Sequence, residues 1–341
     1  MALKRVTMQN IADACGLSRN TVSKVFNDRG SVPEATRRLV LDAARELGYH
    51  QHPDSARDGA PAGGTIALLT QHKLLSHNFG AFFITSFTDQ ISRSGYTLRI
   101  FEVSPREIAQ RVLPPHFRPE ETSGILVIEL FDRDYLERIS DLRMPTVFVD
   151  AYARASRSQL RCDFVSMENI PGEMAMVKRM LAAGARRIGF VGDPEHCNSF
   201  YERWFGFYLT LFDAGLPVDR ALCILEKDSE AYADTDWLIG HLTAMPQLPD
   251  GFVCANDYLA IHLMAALKKM GLSVPGDVMV AGFDGAPESS VVTPPLTTMH
   301  IPSTEIGRVA ASVLYERIRT PDAPFRRVYV ETAPVPGSSV P

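Results

Sequence analysis

Apolar positions recur at helical spacing through the first fifty residues, and then the period changes. Met8, Ile11, Ala12 and Cys15 share one face of residues 7–15, with Thr7 placed to cap that helix and Gly16 to stop it. Val22, Val25 and Phe26 form the next stripe at i, i+3, i+4 behind Ser18 as a second cap. Asn20, Ser23, Lys24 and Asn27 fall on a different face of the same segment. A third helix is predicted from Pro33, with Leu39, Val40, Ala43, Ala44 and Leu47 as its buried side and Gly48 as its stop. Two short helices meeting across Gly16-Leu17-Ser18, backed by a third, predict an all-α helix-turn-helix head over residues 1–49.

Pro53, Gly59, Pro61, Gly63 and Gly64 crowd the next stretch, which marks residues 50–64 as a linker. Beyond it, buried runs of four to seven residues alternate with amphipathic segments. The runs are "TIALLT", "YTLRIFEV", "GILVIEL", "PTVFVD", "RRIGFVGD", "GFVCAND" and "VMVAGFD"; residues 79–94, 171–183, 200–214 and 257–270 read as helices between them. That alternation predicts βαβ units, parallel sheets and a doubly wound α/β body over residues 65–341. A body of that length suits two lobes, with ligands expected where the carboxyl ends of the strands face a cleft.

Composition narrows the possibilities. The 341 residues, 45% hydrophobic and 22% charged, suit a globular chain of two or three domains. The start lacks a secretory pattern and no 18-residue apolar run occurs, so a cytoplasmic protein without a membrane span is expected. Five scattered cysteines and no C-x-x-C predict reduced thiols rather than disulfides or a zinc ribbon. The "HQH" at His50 and His52 lacks companion ligands, so no metal and no cofactor are expected. No G-x-S-x-G, P-loop or strand-borne G-x-G-x-x-G occurs, which argues against an enzyme. Residues 1–50 carry eight Lys/Arg and five Asp/Glu, a charge of +3; with a chain total of −5 the remainder is −8. A basic head on an acidic body fits a chain whose one end meets a polyanion.

The second head helix has the size to enter a DNA major groove. There Arg19 can donate to guanine, Asn20 can pair with adenine, and Lys24 can reach a base edge or a phosphate. A solvated helix face is the competing reading of spacing alone. At this point "TMQNIADACGLSRNTVSKVFNDRGSVPEATRRLVLDAARELGY" resembles the DNA-binding head of the lactose-repressor (LacI/GalR) family over its full length. The resemblance implies base-reading positions at Arg19, Asn20 and Lys24, and phosphate-facing or capping positions at Thr7, Ser18, Thr21, Ser23 and Asn27. Lys24 stands where the family has Arg, and an ammonium cannot copy a guanidinium fork. In the linker the family's minor-groove Leu is replaced by Gly59, which has no side chain to insert and disfavours helix by about 1 kcal/mol against Ala. A plain tether between the heads and a dimeric body is therefore the alternative to a hinge helix.

Polar groups sit at strand ends of the body: Asn256 and Asp257 after "FVCA", Asp284 after "VAGF", and Arg203 within the aromatic "SFYERWFGF". Carboxylate, amide and guanidinium groups between ring faces suit a ligand rich in hydroxyls or ring nitrogens. "CANDYLAIHLMAALKKMGLSVPGDVMVAGFDG" and "TPPLTTMHIPSTEIGRVAASVLYERI" resemble the family's effector domain, which is shaped like periplasmic sugar-binding proteins. The resemblance implies effector contacts at Arg203, Asn256 and Asp284, more loosely Asn169, and an aromatic wall at Phe79 or Phe82. It also implies a first lobe of about residues 65–162 plus about 300–325 and a second of about 163–299 plus about 326–341. Gly285, Ala185 and Pro336 depart from the family's acid, His and Arg at those positions. The function implied is a transcription regulator, in sign a repressor, that binds double-stranded DNA at a pseudo-palindromic operator as a homodimer, with a tetramer left open. A small molecule between the lobes, a carbohydrate first, would control it. A purine, a protein partner or no effector at all stand as alternatives.

Overall fold

The structure is a computed structural model that describes residues 8–26, 32–46, 63–71, 78–155 and 160–341. The chain divides into two compact units, Met1–Ala62 and Gly63–Pro341. No helix of the described residues is long and apolar enough to cross a membrane.

In the head, α1 (Met8–Cys15), α2 (Arg19–Phe26) and α3 (Glu34–Glu46) form as their apolar spacing predicts. Ile11, Ala12, Val22, Val25 and Val40 close a small core from all three helices. Leu39 departs from the prediction: it is half exposed, one step around α3 from the stripe that Val40 and Ala43 present. Its backbone is nonetheless used, since its carbonyl accepts from the Cys15 thiol at 3.7 Å. Thr7, Asn27, Leu47, Gly48 and the linker positions His50, His52, Pro53 and Gly59 lie outside the described residues.

The body begins with β1 (Gly64–Thr70), α4 (Asn78–Arg93), β2 (Tyr96–Glu102), α5 (Pro105–Gln110), β3 (Thr122–Ile128), α6 (Arg133–Ser140), β4 (Thr146–Val149) and β5 (Asp163–Met167). It continues through α7 (Asn169–Ala182), β6 (Ile188–Val191), α8 (Asn198–Asp213), α9 (Thr235–Ala244), β7 (Gly251–Cys254), α10 (Asp257–Lys269) and β8 (Met279–Ala281). Last come β9 (Thr298–His300), α11 (Ser303–Arg319), β10 (Arg327–Val330) and β11 (Ala333–Val335). A six-stranded parallel sheet in the order β10-β5-β4-β3-β1-β2 builds the first lobe, and a three-stranded parallel sheet β6-β7-β8 builds the second; β9 and β11 pair antiparallel beside it. Strands such as β1, β3 and β4 are buried on both faces, so they read in the sequence as continuous apolar runs.

The lobe boundaries differ from those expected. The expected bounds place β5 and β10 in the second lobe, yet both pair in the first sheet, in register from Arg327 opposite Phe164 to Val330 opposite Met167. The crossing therefore falls between Met167 and Asn169, not at residue 162, and the last one follows Val330. A buried ion pair holds this arrangement. Asp163, fully buried at the start of β5, accepts from Arg317 of α11 at 2.7 and 3.0 Å and from the Arg326 backbone at 2.7 Å. The spare guanidinium hydrogens of Arg317 bond the carbonyls of Pro321, Ala323 and Pro324, which delivers the chain to β10. Such long-range partners leave no trace in local periodicity.

Gly206 sets how closely α7 and α8 approach. A side-chain carbon there would stand 2.8 Å from the Ile170 carbonyl and 3.0 Å from the Glu173 Cβ. The absence of a side chain lets α8 lie against α7, and that contact brings Asn169 beside Arg203.

Candidate DNA-reading helix and effector cleft

In the head, the turn between α1 and α2 is fixed by Ser18. Its hydroxyl accepts from the Thr21 backbone at 3.1 Å and shares a hydrogen bond with the Thr21 hydroxyl at 2.9 Å, so Ser18 caps α2. Val22 and Val25 are buried against α1 and α3, which turns Arg19 and Lys24 outward; both are exposed and Thr21 is half-buried. The head thus presents a basic helix face while its apolar stripe is satisfied inside. Asn20 and Ser23 occupy α2, but their side chains, like Thr7 and Asn27, lie outside the described residues.

In the body, the strand ends bring Arg203, Asn169 and Asp284 together. Arg203 is 2% exposed on α8. Its Nε donates to Asn169 Oδ1 at 3.0 Å, and its Nη1 donates to the Ala255 carbonyl and, at 3.3 Å, to Asp284 Oδ1. The guanidinium carbon lies 3.9 Å from the Phe283 ring centroid and 5.8 Å from that of Phe200. A buried cation persists only when paired and hydrogen-bonded, and Asn169, Ala255 and Asp284 meet that need from three separate chain segments. Asp284 itself has φ of 129°, a backbone region that favours glycine, which marks the position as strained.

Asn256, at the same strand ends, also caps a helix. Its Oδ1 accepts from the Leu259 backbone at 2.9 Å, capping α10, so its acceptor is committed to the helix. The buried carboxylate beside the site is its neighbour Asp257, which accepts from Thr298 Oγ1 at 2.5 Å and from the Ala286 backbone at 2.7 Å. Burial pushes Asp257 up to about 7, and the Asp284 charge adds to the rise. Phe79 lies in the first turn of α4, half-buried and stacked on Phe83 with centroids 6.0 Å apart; Phe82 is 57% exposed and faces away from that core.

Sequence reading overlooked further acids. Glu202 is buried and accepts from Asn169 Nδ2 at 2.8 Å, Asn198 Nδ2 at 2.9 Å and the Tyr329 hydroxyl at 3.2 Å. Burial raises its carboxyl, while the Asn169 and Asn198 amides pull the other way. Glu173 is buried, its Oε1 lacks a hydrogen-bond partner, and burial pushes it up to about 8 against the opposing pull of Arg203. Asp150, after β4 at φ of 60°, accepts from the Ala151 backbone at 2.8 Å and the Ser199 backbone at 3.2 Å, a contact between lobes. In the sequence Glu202 reads as an ordinary helix charge; only its adjacency to Arg203 could have signalled it.

The departure at Gly285 has a steric reason. Its φ is +66°, and a Cβ would stand 2.7 Å from the Cα of His300, so the backbone path excludes an acid there. The buried thiols of Cys162, Cys197 and Cys254 are free, and burial raises all three. Thiols held protonated are poor nucleophiles and poor metal ligands.

A helix-turn-helix head joined to a two-lobed α/β body with a polar site at the strand ends defines a DNA-binding transcription regulator with a ligand-binding domain. The chain belongs to the lacI family of bacterial regulatory proteins: residues 7–52 match the family so described, and residues 177–340 match a periplasmic binding protein-like domain. It is 30% identical over 318 residues to the HTH-type transcriptional repressor PurR of Vibrio parahaemolyticus, covering 92% of each chain. The HTH-type transcriptional regulator CelR of Thermobifida fusca is 26% identical over 339 residues, covering 96% of each. The ribose operon repressor of Bacillus subtilis is 26% identical over 309 residues, covering 90% of each. Among solved structures, a CelR–cellobiose complex has a TM-score of 0.68 at 24% identity, covering 98% of this chain and 100% of that one. A lac repressor dimer bound to operator and an anti-inducer has a TM-score of 0.66 at 21% identity, covering 99% of both. The last two establish the fold.

Proposed function

We propose that the chain is a cytoplasmic repressor without catalytic activity that sits on a pseudo-palindromic operator as a homodimer and is controlled by a neutral carbohydrate held at Arg203. Arg19, Asn20 and Lys24 read base edges, Thr7, Thr21, Ser23 and Asn27 face phosphates, and Ser18 caps the reading helix. In the body Arg203, Asn169 and Asp284 contact the effector, Asn256 does so through its amide nitrogen because its oxygen caps α10, and Phe79 forms an aromatic wall. The observation that carries the cleft assignment is the buried Arg203 guanidinium, held by Asn169, Ala255 and Asp284 with a ring face beside it. Directed donors and acceptors around an aromatic surface suit hydroxyl groups on a compact ring. The CelR complex holds cellobiose, which supports a carbohydrate here.

A thermal-shift screen of the purified protein against cellobiose, ribose, other mono- and disaccharides, sugar phosphates and purines tests the assignment. A ligand at about 100 times its Kd stabilises the native state by about 2.7 kcal/mol. A sugar-induced rise in Tm that disappears in Arg203→Ala supports the reading; a rise that Arg203→Ala leaves intact places the effector elsewhere.

A further inference from the structure

We propose that Glu202 is the positioning residue for Arg203: through the Asn169 amide it fixes which way the guanidinium faces, and through Tyr329 it ties that setting to the edge strand of the first lobe. The functional consequence rests on Arg203 being an effector contact, whereas the positioning itself does not.

Neighbouring residues leave a helix about 100° apart, so Glu202 and Arg203 on α8 need an intermediary. Asn169, at the start of α7, supplies it. An ionised carboxylate only accepts, so Glu202 requires the amide nitrogen of Asn169 to point at it, at 2.8 Å. That leaves Oδ1 to face Arg203 Nε at 3.0 Å. The Met167 carbonyl, accepting from the same Nδ2 at 3.1 Å, holds the amide in this sense. Turned over, the amide would set its nitrogen against Nε, two donors facing. Glu202 and the Met167 carbonyl together thus set the orientation of Asn169, and Asn169 aims the planar fork whose Nη1 reaches Ala255 and Asp284.

Among the described residues no basic side chain lies within ion-pair distance of Glu202, although its residue is only 7% exposed. A buried carboxylate held by amides and a phenol alone is an expensive way to fill space, and an orienting role accounts for it. The Tyr329 hydroxyl completes the set from β10, so this hydrogen bond joins the second lobe's α8 to the first sheet. The same end of α8 meets the first lobe again where the Asn198 backbone donates to the Ala151 carbonyl at 2.8 Å. A shift of one lobe against the other would therefore be felt at Glu202, one residue from Arg203.

The test reads Arg203 directly, in the full chain labelled with 15N-arginine. The Nε–H resonance of Arg203, assigned by its loss in Arg203→Lys, is expected to exchange slowly with water. Glu202→Gln keeps shape and volume but leaves one acceptor oxygen where there were two, so Asn169 Nδ2 must compete for it with Asn198 Nδ2 and the Tyr329 hydroxyl. The expected result is exchange at Nε faster by at least about tenfold, the size of one hydrogen bond to a charged group. Adding Asn169→Asp supplies an acceptor for the new amide and another for Nε, and slow exchange is expected to return. Tyr329→Phe, at a half-exposed site, is expected to fold whatever Glu202→Gln does and to move the Arg203 resonance. A purely structural Glu202 would lower Tm in Glu202→Gln and leave that resonance where it was. A resonance unmoved in either variant overturns the proposal. Neither measurement contains a ligand, so failure here leaves the effector assignment standing, and a failed ligand screen leaves this result standing.

Discussion

The guanidinium carbon of Arg203 stands 3.9 Å from the centroid of the Phe283 ring, and its Nη1 reaches the carboxylate of the next residue, Asp284. One strand end thus supplies both the face and the charge that hold a buried cation. A desolvated cation–ring contact contributes on the order of 2 kcal/mol, and the ion pair adds direction to it.

Arg203→Ala removes the cation, leaves Asn169 Oδ1 and the Ala255 carbonyl without their donor, and is expected to lower stability by about 2–5 kcal/mol. Effector affinity should fall by at least about tenfold. Arg203→Lys should restore part of the stability and little of the affinity, because an ammonium cannot bond Asn169 and Asp284 in one plane. Calorimetric unfolding and ligand titration of both variants separate the two effects.

Stability should fall as pH rises through the neutral range. The folded carboxyl of Asp257 is pushed up to about 7 and that of Glu173 to about 8, both far above their unfolded values. Between the unfolded and folded values the native state holds protons that the unfolded chain has released, so unfolding free energy declines with slope of about 1.4 kcal/mol per pH unit per group, then levels off above about pH 8. Denaturant midpoints measured from pH 5 to pH 9 should show this decline, and Asp257→Asn should make it shallower. A flat profile in the native sequence would contradict the burial argument.

Gly285→Asp, which restores the acid usual at that position in the family, should harm the protein. A side chain at φ +66° against the His300 backbone costs about 1–2 kcal/mol of backbone strain before any clash. For a body of this size that predicts a Tm lower by about 2–8 °C. Gly285→Ala should show most of the same loss, since the Cβ is the offending atom; an unchanged Tm in Gly285→Ala would sink the steric account.

At the head, Arg19→Ala and Lys24→Ala are each expected to weaken operator binding by about 1–3 kcal/mol while ligand affinity in the body stays as it was. Lys24→Arg should sharpen discrimination at one base position, because the fork can bond a guanine edge at two points. Binding isotherms on operator variants, repeated at several salt concentrations, distinguish base contacts from phosphate contacts. Equal losses on every sequence would place Lys24 on the backbone.

The head and the parallel sheets were legible because each depends on neighbours in the chain. Ile11, Ala12, Val22 and Val25 declare two helix faces by spacing, Ser18 declares a cap, and runs such as those of β1, β3 and β7 announce strands buried on both sides. The membership of β5 and β10 was not legible, because it is decided by Asp163 meeting Arg317, 154 positions away. Leu39 shows the limit even within a helix, where a rotation of one residue moves a side chain from core to surface.

The candidate site divides the same way. The sequence by itself determined which chemistry was present at the strand ends: a guanidinium at Arg203, an amide at Asn169 and a carboxylate at Asp284. Only the tertiary structure decided what those groups do. Asn256 proved to cap α10, Asp257 was taken into the interior, and Glu202 came to bear on Arg203 through an amide from another helix. Spacing encodes which face a residue takes on its own element, whereas partnership between elements depends on the packing of α7 against α8 across Gly206, and no local pattern carries that information.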